Sequence, residues 1–134
     1  MSQQNVETMR RLLDSYAQRD YDPAIEALDP DVELWLDPQT FPESGPFRGR
    51  DAVVTRLAEV VSSFADYWVS TRGAELIDAG DWVVMIIRTG GRGRSSGAMV
   101  DQLWTVAFRL RDAKIVRIEY HPNKEDALEA IRAP

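Results

Sequence analysis

The sequence predicts a single α+β domain, with helices in the first part of the chain and a meander of long strands in the last part. Apolar residues recur at helical spacing near the N-terminus. From about residue 67 onward they form runs separated by turn residues, as strands do. The length of 134 residues suits one domain, and neither an internal repeat nor a linker divides it. We therefore expect one domain over residues 1–134.

Two helices are expected at the beginning of the chain. Residues 3–19 are predicted as an amphipathic helix because their apolar members share one stripe, which comprises Val6, Met9, Leu13, Tyr16 and Ala17. A short second helix is predicted over residues 23–28, since Pro23 is well suited to the first turn of a helix.

A short strand and a third helix are predicted next. The strand covers residues 32–36, between two Asp-Pro pairs. Residues 37–49 form a loop rich in proline and glycine, and loops of this length often serve as lids or pocket walls. The third helix begins at about Arg50, and its apolar stripe comprises Val53, Leu57, Val60, Val61 and Phe64.

Four strands and a short helix complete the predicted order. The strands cover residues 67–77, 82–89, 98–110 and 114–120, and the helix covers residues 124–131. The glycine-rich segment 90–97 lacks the Gly-Lys-Ser/Thr ending of a phosphate-binding loop and joins two strands. We interpret it as a flexible hairpin loop, whose Arg92 and Arg94 could meet an anionic ligand at a pocket mouth.

The last hairpin allows two registers. A two-residue turn at Asp112 and Ala113 would pair Phe108 with Arg117, so that each face mixes apolar and charged groups. A three-residue loop over 111–113 would pair Phe108 with Val116, and also Val106 with Ile118 and Trp104 with Tyr120. We favour this loop because it separates apolar from polar side chains, although glycine suits its left-handed third position better than Ala113.

The favoured register assigns each side chain of the hairpin to one face of the sheet. The inner, apolar face would hold Trp104, Val106, Phe108, Leu110, Val116, Ile118 and Tyr120. The outer face would hold Thr105, Ala107, Arg109, Arg117, Glu119 and His121. A slip of one residue would bring Glu119 and His121 inside and make an enzyme more plausible.

Composition and charge exclude several classes of function. The chain has no cysteine, which rules out disulfides and thiolate zinc sites and is compatible with a reducing cytoplasm. Its single histidine gives no basis for a histidine-rich metal site. A net charge of −6 disfavours nucleic acid as a partner. No signal peptide and no membrane-spanning apolar run is found, so we expect a cytoplasmic protein without membrane contact.

Four segments carry a family resemblance: Asp-Pro-Asp-Val-Glu-Leu at 29–34, Pro-Phe-Arg-Gly-Arg-Asp-Ala-Val at 46–53, the hairpin 108–120, and Glu-Asp-Ala-Leu-Glu-Ala at 125–130. These segments and the order of elements resemble the SnoaL-like polyketide-cyclase group of the nuclear transport factor 2-like superfamily. The resemblance implies a cone-shaped, curved, mostly antiparallel sheet wrapped around the first and third helices. It also implies a pocket at the open end and a homodimer through the outer sheet face. This fold hosts many activities, so the resemblance does not fix a function.

Tyr16 and Asp37 are the candidate catalytic residues. In the ketosteroid-isomerase branch, a tyrosine matching Tyr16 donates a hydrogen bond to a developing oxyanion. An aspartate matching Asp37, also followed by proline, is the general base. The alternatives are a core tyrosine with its hydroxyl at the rim and a turn-forming aspartate before proline. Trp35 shares strand parity with Asp37 and is expected to line the same cavity.

The sequence departs from the catalytic patterns of these relatives at two positions. Counted back from Lys114, Val106 occupies the position that resembles the acidic residue of the isomerase and cyclase branches. Tyr120 stands where the limonene-epoxide-hydrolase branch has one. Because neither side chain is a carboxylate, the relatives' mechanisms cannot be carried over intact.

Three functions remain open after this comparison. The first is an acid–base isomerase, cyclase or hydratase that uses Asp37 and Tyr16. The second is a module that binds a small apolar molecule without catalysis, and the predicted ligand-contacting residues are Trp35, Trp104, Val106, Phe108, Ile118 and Tyr120. The third is a dimerisation module with a filled cone, pairing through the mild apolar strip of Leu103, Thr105 and Ala107. No cofactor and no metal are expected.

Overall fold

The computed structural model describes residues 2–39, 41 and 46–132. The elements in chain order are α1 (Ser2–Ala17), α2 (Asp22–Ala27), β1 (Leu28–Leu36), β2 (Phe47–Arg48), α3 (Arg50–Ser62), β3 (Phe64–Ala79), β4 (Trp82–Gly93), β5 (Met99–Arg111), β6 (Lys114–His121) and α4 (Lys124–Arg132). Part of the predicted 37–49 loop, at residues 40 and 42–45, lies outside the described residues, so its suggested role as a lid stays a prediction.

The six strands form one curved, unclosed sheet in the order β2-β1-β6-β5-β4-β3. Of these strand pairs, β1 and β6 run parallel and the others run antiparallel. Helices α1 and α3 pack on the sheet, and their buried residues Met9, Leu13 and Val53 join the central hydrophobic core. The predicted α+β class with a mostly antiparallel sheet is therefore confirmed. Within the part of the chain that the structure describes, no helix is long and apolar enough to cross a membrane.

Several predicted boundaries move. Strand β1 begins at Leu28 rather than at residue 32, and its register against β6 shifts between Leu28 and Glu33, where Pro30 interrupts regular pairing. Phe64 is the first residue of β3 rather than the end of the α3 stripe. Residues 90–93, predicted as loop, extend β4. The hairpin loop is therefore shorter than expected, and only residues 94–98 connect β4 to β5.

Close packing around Gly90 explains why a glycine occupies this position inside strand β4. A Cβ atom at this position would collide with the carbonyl oxygen of Val100 and with the indole ring of Trp68. The glycine thus lets the Trp68 ring lie directly against the β4 backbone. The two loop arginines bind backbone oxygens, Arg92 that of Gly97 at 3.3 Å and Arg94 that of Ser62 at 2.8 Å.

The β5–β6 turn corrects the predicted register. Asp112 and Ala113 have φ values of 52° and 63°, and Arg111 pairs with Lys114, so the connection is a two-residue turn. The favoured three-residue loop is wrong. The left-handed conformation was expected at Ala113 alone, but both central residues adopt it.

A β-bulge next to this turn restores the separation of the two faces. The pairing shifts between Arg109 and Leu110, and Val116 is the extra residue in β6. Beyond the bulge, Phe108 pairs with Ile118 and Val106 with Tyr120. The predicted partners are therefore wrong by two positions, whereas the parity that places these four side chains on one face is right.

Helix α4 covers part of the outer face. Its Ala127 packs against Val84 and Ala107, and all three side chains are fully buried. Thr105 is also buried. Of the predicted apolar outer strip, Leu103 alone remains exposed, at 67%. The expected strip is thus mostly covered within one chain, because the C-terminal helix folds back over it.

Candidate functional site

A large cavity lies between the helices and the inner face of the sheet. Its volume is about 620 Å³, and most of its lining is aliphatic or aromatic. Helices α1 and α3 supply one wall, with residues such as Leu13 and Leu57. Alternate residues of β5 and β6 supply the opposite wall, which holds five of the predicted ligand contacts: Trp104, Val106, Phe108, Ile118 and Tyr120.

All four tyrosines of the chain line this cavity. Tyr16 of α1 and Tyr21 of the following turn have ring centroids 4.7 Å apart, and Tyr67 comes from β3 and Tyr120 from β6. Burial, and to a lesser degree the neighbouring phenols, raises the pKa of Tyr16 far above its usual range. Burial likewise raises the pKa of Tyr120 and of Tyr67, the latter despite a hydrogen bond with Thr89. At neutral pH these phenols are therefore protonated and can donate hydrogen bonds.

The charged groups of the cavity wall are few. Arg56 is the one charged side chain among the described lining residues, and its guanidinium carbon lies 6.0 Å from the ring centroid of Phe47. Neither a carboxylate nor the histidine occurs among those lining residues. The described wall therefore offers hydrogen-bond donors but no strong proton acceptor.

Asp37 lines a separate cleft and is not among the described lining residues of the large cavity that contains Tyr16. This cleft of about 260 Å³ beside the first half of β5 and the end of β6 is lined by Asp37, Phe41, Gln102, Leu103, Trp104, Tyr120, His121 and Pro122. The amide N–H of Asp37 donates to the carbonyl oxygen of Tyr120 at 3.2 Å, which holds the chain after β1 beside β6. The two candidate catalytic residues are thus separated. The cleft, termed the rim cleft below, shares Phe41, Gln102, Trp104 and Tyr120 with the large cavity.

The placement of Trp35 is a correction. Its neighbours Leu34 and Leu36 line the cavity, whereas the Trp35 ring lies on the other face of β1, with its centroid 5.0 Å from that of His121. The prediction counted strand parity from Asp37, but β1 ends at Leu36 and the alternation does not continue beyond it. Trp35 is therefore not among the described residues of the cavity wall.

A polar network occupies the outer face beside Trp35. The Arg117 Nε donates to Glu119 at 2.6 Å, and the His121 Nε2 lies 2.9 Å from the other Glu119 oxygen. Burial by itself would raise the pKa of the Glu119 carboxyl, but hydrogen bonds from His121 and Arg117 together lower it. Glu119 and His121 thus lie outside the large cavity, as the parity argument predicted, yet His121 is buried and borders the rim cleft.

Sequence reasoning missed Tyr21, Tyr67, Arg56 and Gln102 in the cavity wall. Tyr67 shares strand parity with Val69, another wall residue, so the alternation along β3 was an available signal. Tyr21 lies in the turn between α1 and α2, where no periodicity applies. Its position depends on how the two helices pack together.

Comparison with known proteins agrees with this fold. The family model that matches residues 9–118 is the SnoaL-like domain. The chain belongs to the SnoaL-like domain family.

Solved structures show the same architecture. A proposed SnoaL-like polyketide cyclase from Jannaschia sp. CCS1 is 26% identical, with 98% of this chain and 94% of that chain covered and a TM-score of 0.74. TerC, co-crystallised with polyporic acid, is 20% identical, with coverage of 96% and 98% and a TM-score of 0.70. An NTF2-like protein of unknown function from Burkholderia pseudomallei K96243 is 20% identical, with coverage of 96% and 98% and a TM-score of 0.72. A search of curated proteins finds no match.

Proposed function

We propose that this protein binds a flat, largely apolar small molecule that carries carbonyl or phenolic oxygens. The observation that carries the proposal is the presence of four tyrosines in one otherwise apolar cavity. A volume of about 620 Å³ lies within the range of ligand pockets, which combine an apolar wall with few polar groups. Neutral phenols would donate to the ligand oxygens and fix its orientation. The polyporic acid co-crystallised with TerC supports this ligand class by analogy.

Catalysis by Asp37 and Tyr16 is the second candidate. This function is favoured by the proximity of the two sites: Trp104 and Tyr120 line both the large cavity, which contains Tyr16, and the rim cleft, which contains Asp37. In such an isomerase or cyclase, Tyr16 would donate to a developing oxyanion, because its raised pKa keeps the proton on the phenol. Asp37 would then have to exchange a proton with the part of the substrate that reaches the rim cleft.

Binding is tested with a matched pair of probes, a hydroxynaphthoquinone and methylnaphthalene, followed by tryptophan fluorescence. The quinone should bind more tightly, because its oxygens accept hydrogen bonds that the hydrocarbon cannot. Tyr16→Phe should weaken quinone binding by about fivefold to tenfold, the value of one hydrogen bond, and leave methylnaphthalene unaffected. Ile118→Trp should abolish the binding of both probes by filling the cavity. Trp82→Phe, on the outer face, should change the affinity for neither probe. Equal affinity for both probes, or no binding of either, would refute the proposed ligand class.

The catalytic alternative has its own test. If a substrate of this class is turned over, Asp37→Asn should abolish turnover while binding of the quinone persists. Turnover at the wild-type rate in Asp37→Asn would remove Asp37 as the base and leave binding as the function.

A further inference from the structure

Arg56 brings a positive charge to the wall of the large cavity from the inward side of α3. Helical spacing places it on the same face as Val53, three residues earlier, and Val60, four residues later. Val53 is fully buried in the core and Val60 lines the cavity. Arg56 itself is half-buried, so its stem covers apolar surface while the guanidinium stays charged. Its position on the apolar side of the helix therefore calls for an explanation beyond solubility.

The guanidinium of Arg56 keeps its capacity to donate hydrogen bonds. Its carbon lies 6.0 Å from the ring centroid of Phe47, a contact that uses the positive charge but none of the five N–H donors. Within the described part of the chain, no ion pair or side-chain hydrogen bond involves Arg56. Arg50 of the same helix differs, because its Nε donates to the carbonyl oxygen of Leu28 at 3.0 Å. Arg50 thus ties the helix to β1, whereas the donors of Arg56 remain available to a ligand.

The charge of Arg56 acts on the interior of the cavity. Burial raises the pKa of the Tyr120 phenol, the Tyr67 phenol adds to the rise, and the Arg56 guanidinium opposes it. Tyr120 belongs to β6, on the sheet side of the cavity. A cation that favours the ionised form of this phenol favours an anionic oxygen of a ligand in the same way. No carboxylate among the described lining residues would repel such a ligand.

We propose that the large cavity selects ligands that carry an acidic oxygen group, such as a carboxylate, and that Arg56 pairs with this group. The inference rests on the proposed function, because it concerns the ligand of the same cavity. The planar fork of the guanidinium matches the two oxygens of a carboxylate. The rings of the ligand would occupy the apolar remainder of the cavity. Without Arg56, an anion entering this wall would lose its hydration and gain no partner charge, so Arg56 determines whether an acid or its neutral analogue is preferred.

Calorimetric titration with naphthoate and naphthamide at neutral pH tests this preference. The two probes share their rings and a carbonyl oxygen, and they differ in charge. The wild type should bind naphthoate about tenfold more tightly, the value of a charge-assisted hydrogen bond at a partly exposed site. The advantage should shrink as the ionic strength rises.

Two arginine variants form a matched pair for this test. Arg56→Met should remove or reverse the advantage of naphthoate and leave the affinity for naphthamide unchanged, whereas Arg56→Lys should keep part of the advantage because it keeps the charge. Arg72→Met removes an exposed arginine of β3 that is not among the described lining residues, so it should behave as wild type.

The inference and the proposed function fail in different ways. Equal affinity of the wild type for the two probes, or a naphthoate advantage that survives Arg56→Met or Ile118→Trp, would overturn the inference. If naphthamide then still binds and Ile118→Trp abolishes its binding, the proposed function stands. If neither probe binds the wild type, both fail. The comparison of the two probes on the wild type does not depend on whether Arg56→Met folds.

Discussion

Raising the pH above the ordinary tyrosine pKa of 10.0 should destabilise the fold through the cavity phenols. Burial raises the pKa of Tyr16 and Tyr120 well above this value in the folded protein. The unfolded chain therefore releases these protons first, binds fewer protons than the folded state, and gains stability relative to it as the pH rises. About one pH unit above 10.0, each of the two groups lowers the free energy of unfolding by about 1.4 kcal/mol.

Together Tyr16 and Tyr120 should remove about 3 kcal/mol, a large share of the ~5–15 kcal/mol that stabilises a typical domain. Tyr67 should add to the loss, because burial raises its pKa as well. Urea unfolding at neutral pH and at about pH 11 measures the loss, and near-ultraviolet absorbance of tyrosinate follows the ionisation. The destabilisation caused by Tyr16→Phe should shrink by about 1.4 kcal/mol between the two pH values. Ionisation of Tyr16 or Tyr120 near pH 10 in the still-folded protein, identified by its loss in the corresponding Tyr→Phe variant, would refute the reasoning.

Three further predictions concern packing and assembly. Gly90→Ala should lower the unfolding free energy by about 1–3 kcal/mol in urea melts, because the new methyl group meets the Val100 carbonyl oxygen and the Trp68 indole; wild-type stability would contradict this. Leu110→Ala, at a buried position outside the cavity wall, should cost about 2–5 kcal/mol, while the exposed control Met99→Ala should cost less than about 0.5 kcal/mol. We also propose a homodimer through the outer face at Leu103, so light scattering should give twice the mass of the chain. Leu103→Glu should give the monomer, and a monomeric wild type at micromolar concentration would count against pairing.

The last hairpin shows how far the sequence alone could lead. Alternation correctly assigned Val106, Phe108, Ile118 and Tyr120 to one face, because a buried face imposes a period of two on each strand. Their partners across the hairpin could not be derived in the same way. The turn at Asp112 shifts the pairing between the strands. The bulge at Val116 also breaks the alternation within β6, so that Ile115 lines the cavity and Val116, which was predicted on the inner face, is not among the described lining residues.

The site was harder to predict than the fold because its residues lie where regular elements end. Asp37 follows the last residue of β1, where strand alternation no longer applies, and its amide N–H donates to the carbonyl oxygen of Tyr120. Trp35, which does obey the alternation, consequently lies on the opposite face from the one predicted. Tyr21 lies in a turn and enters the cavity only through the packing of α1 against α2.

The distribution of polar groups separates two kinds of chemistry in this molecule. The described wall of the large cavity holds phenols, which can donate to ligand oxygens, and no carboxylate or imidazole that could take up a proton near neutral pH. Asp37 and His121 instead line the rim cleft beyond Trp104 and Tyr120. The catalytic alternative proposed above, with Asp37 as the base, would therefore require a ligand long enough to pass the wall of Trp104 and Tyr120. Binding in the large cavity alone has no such requirement.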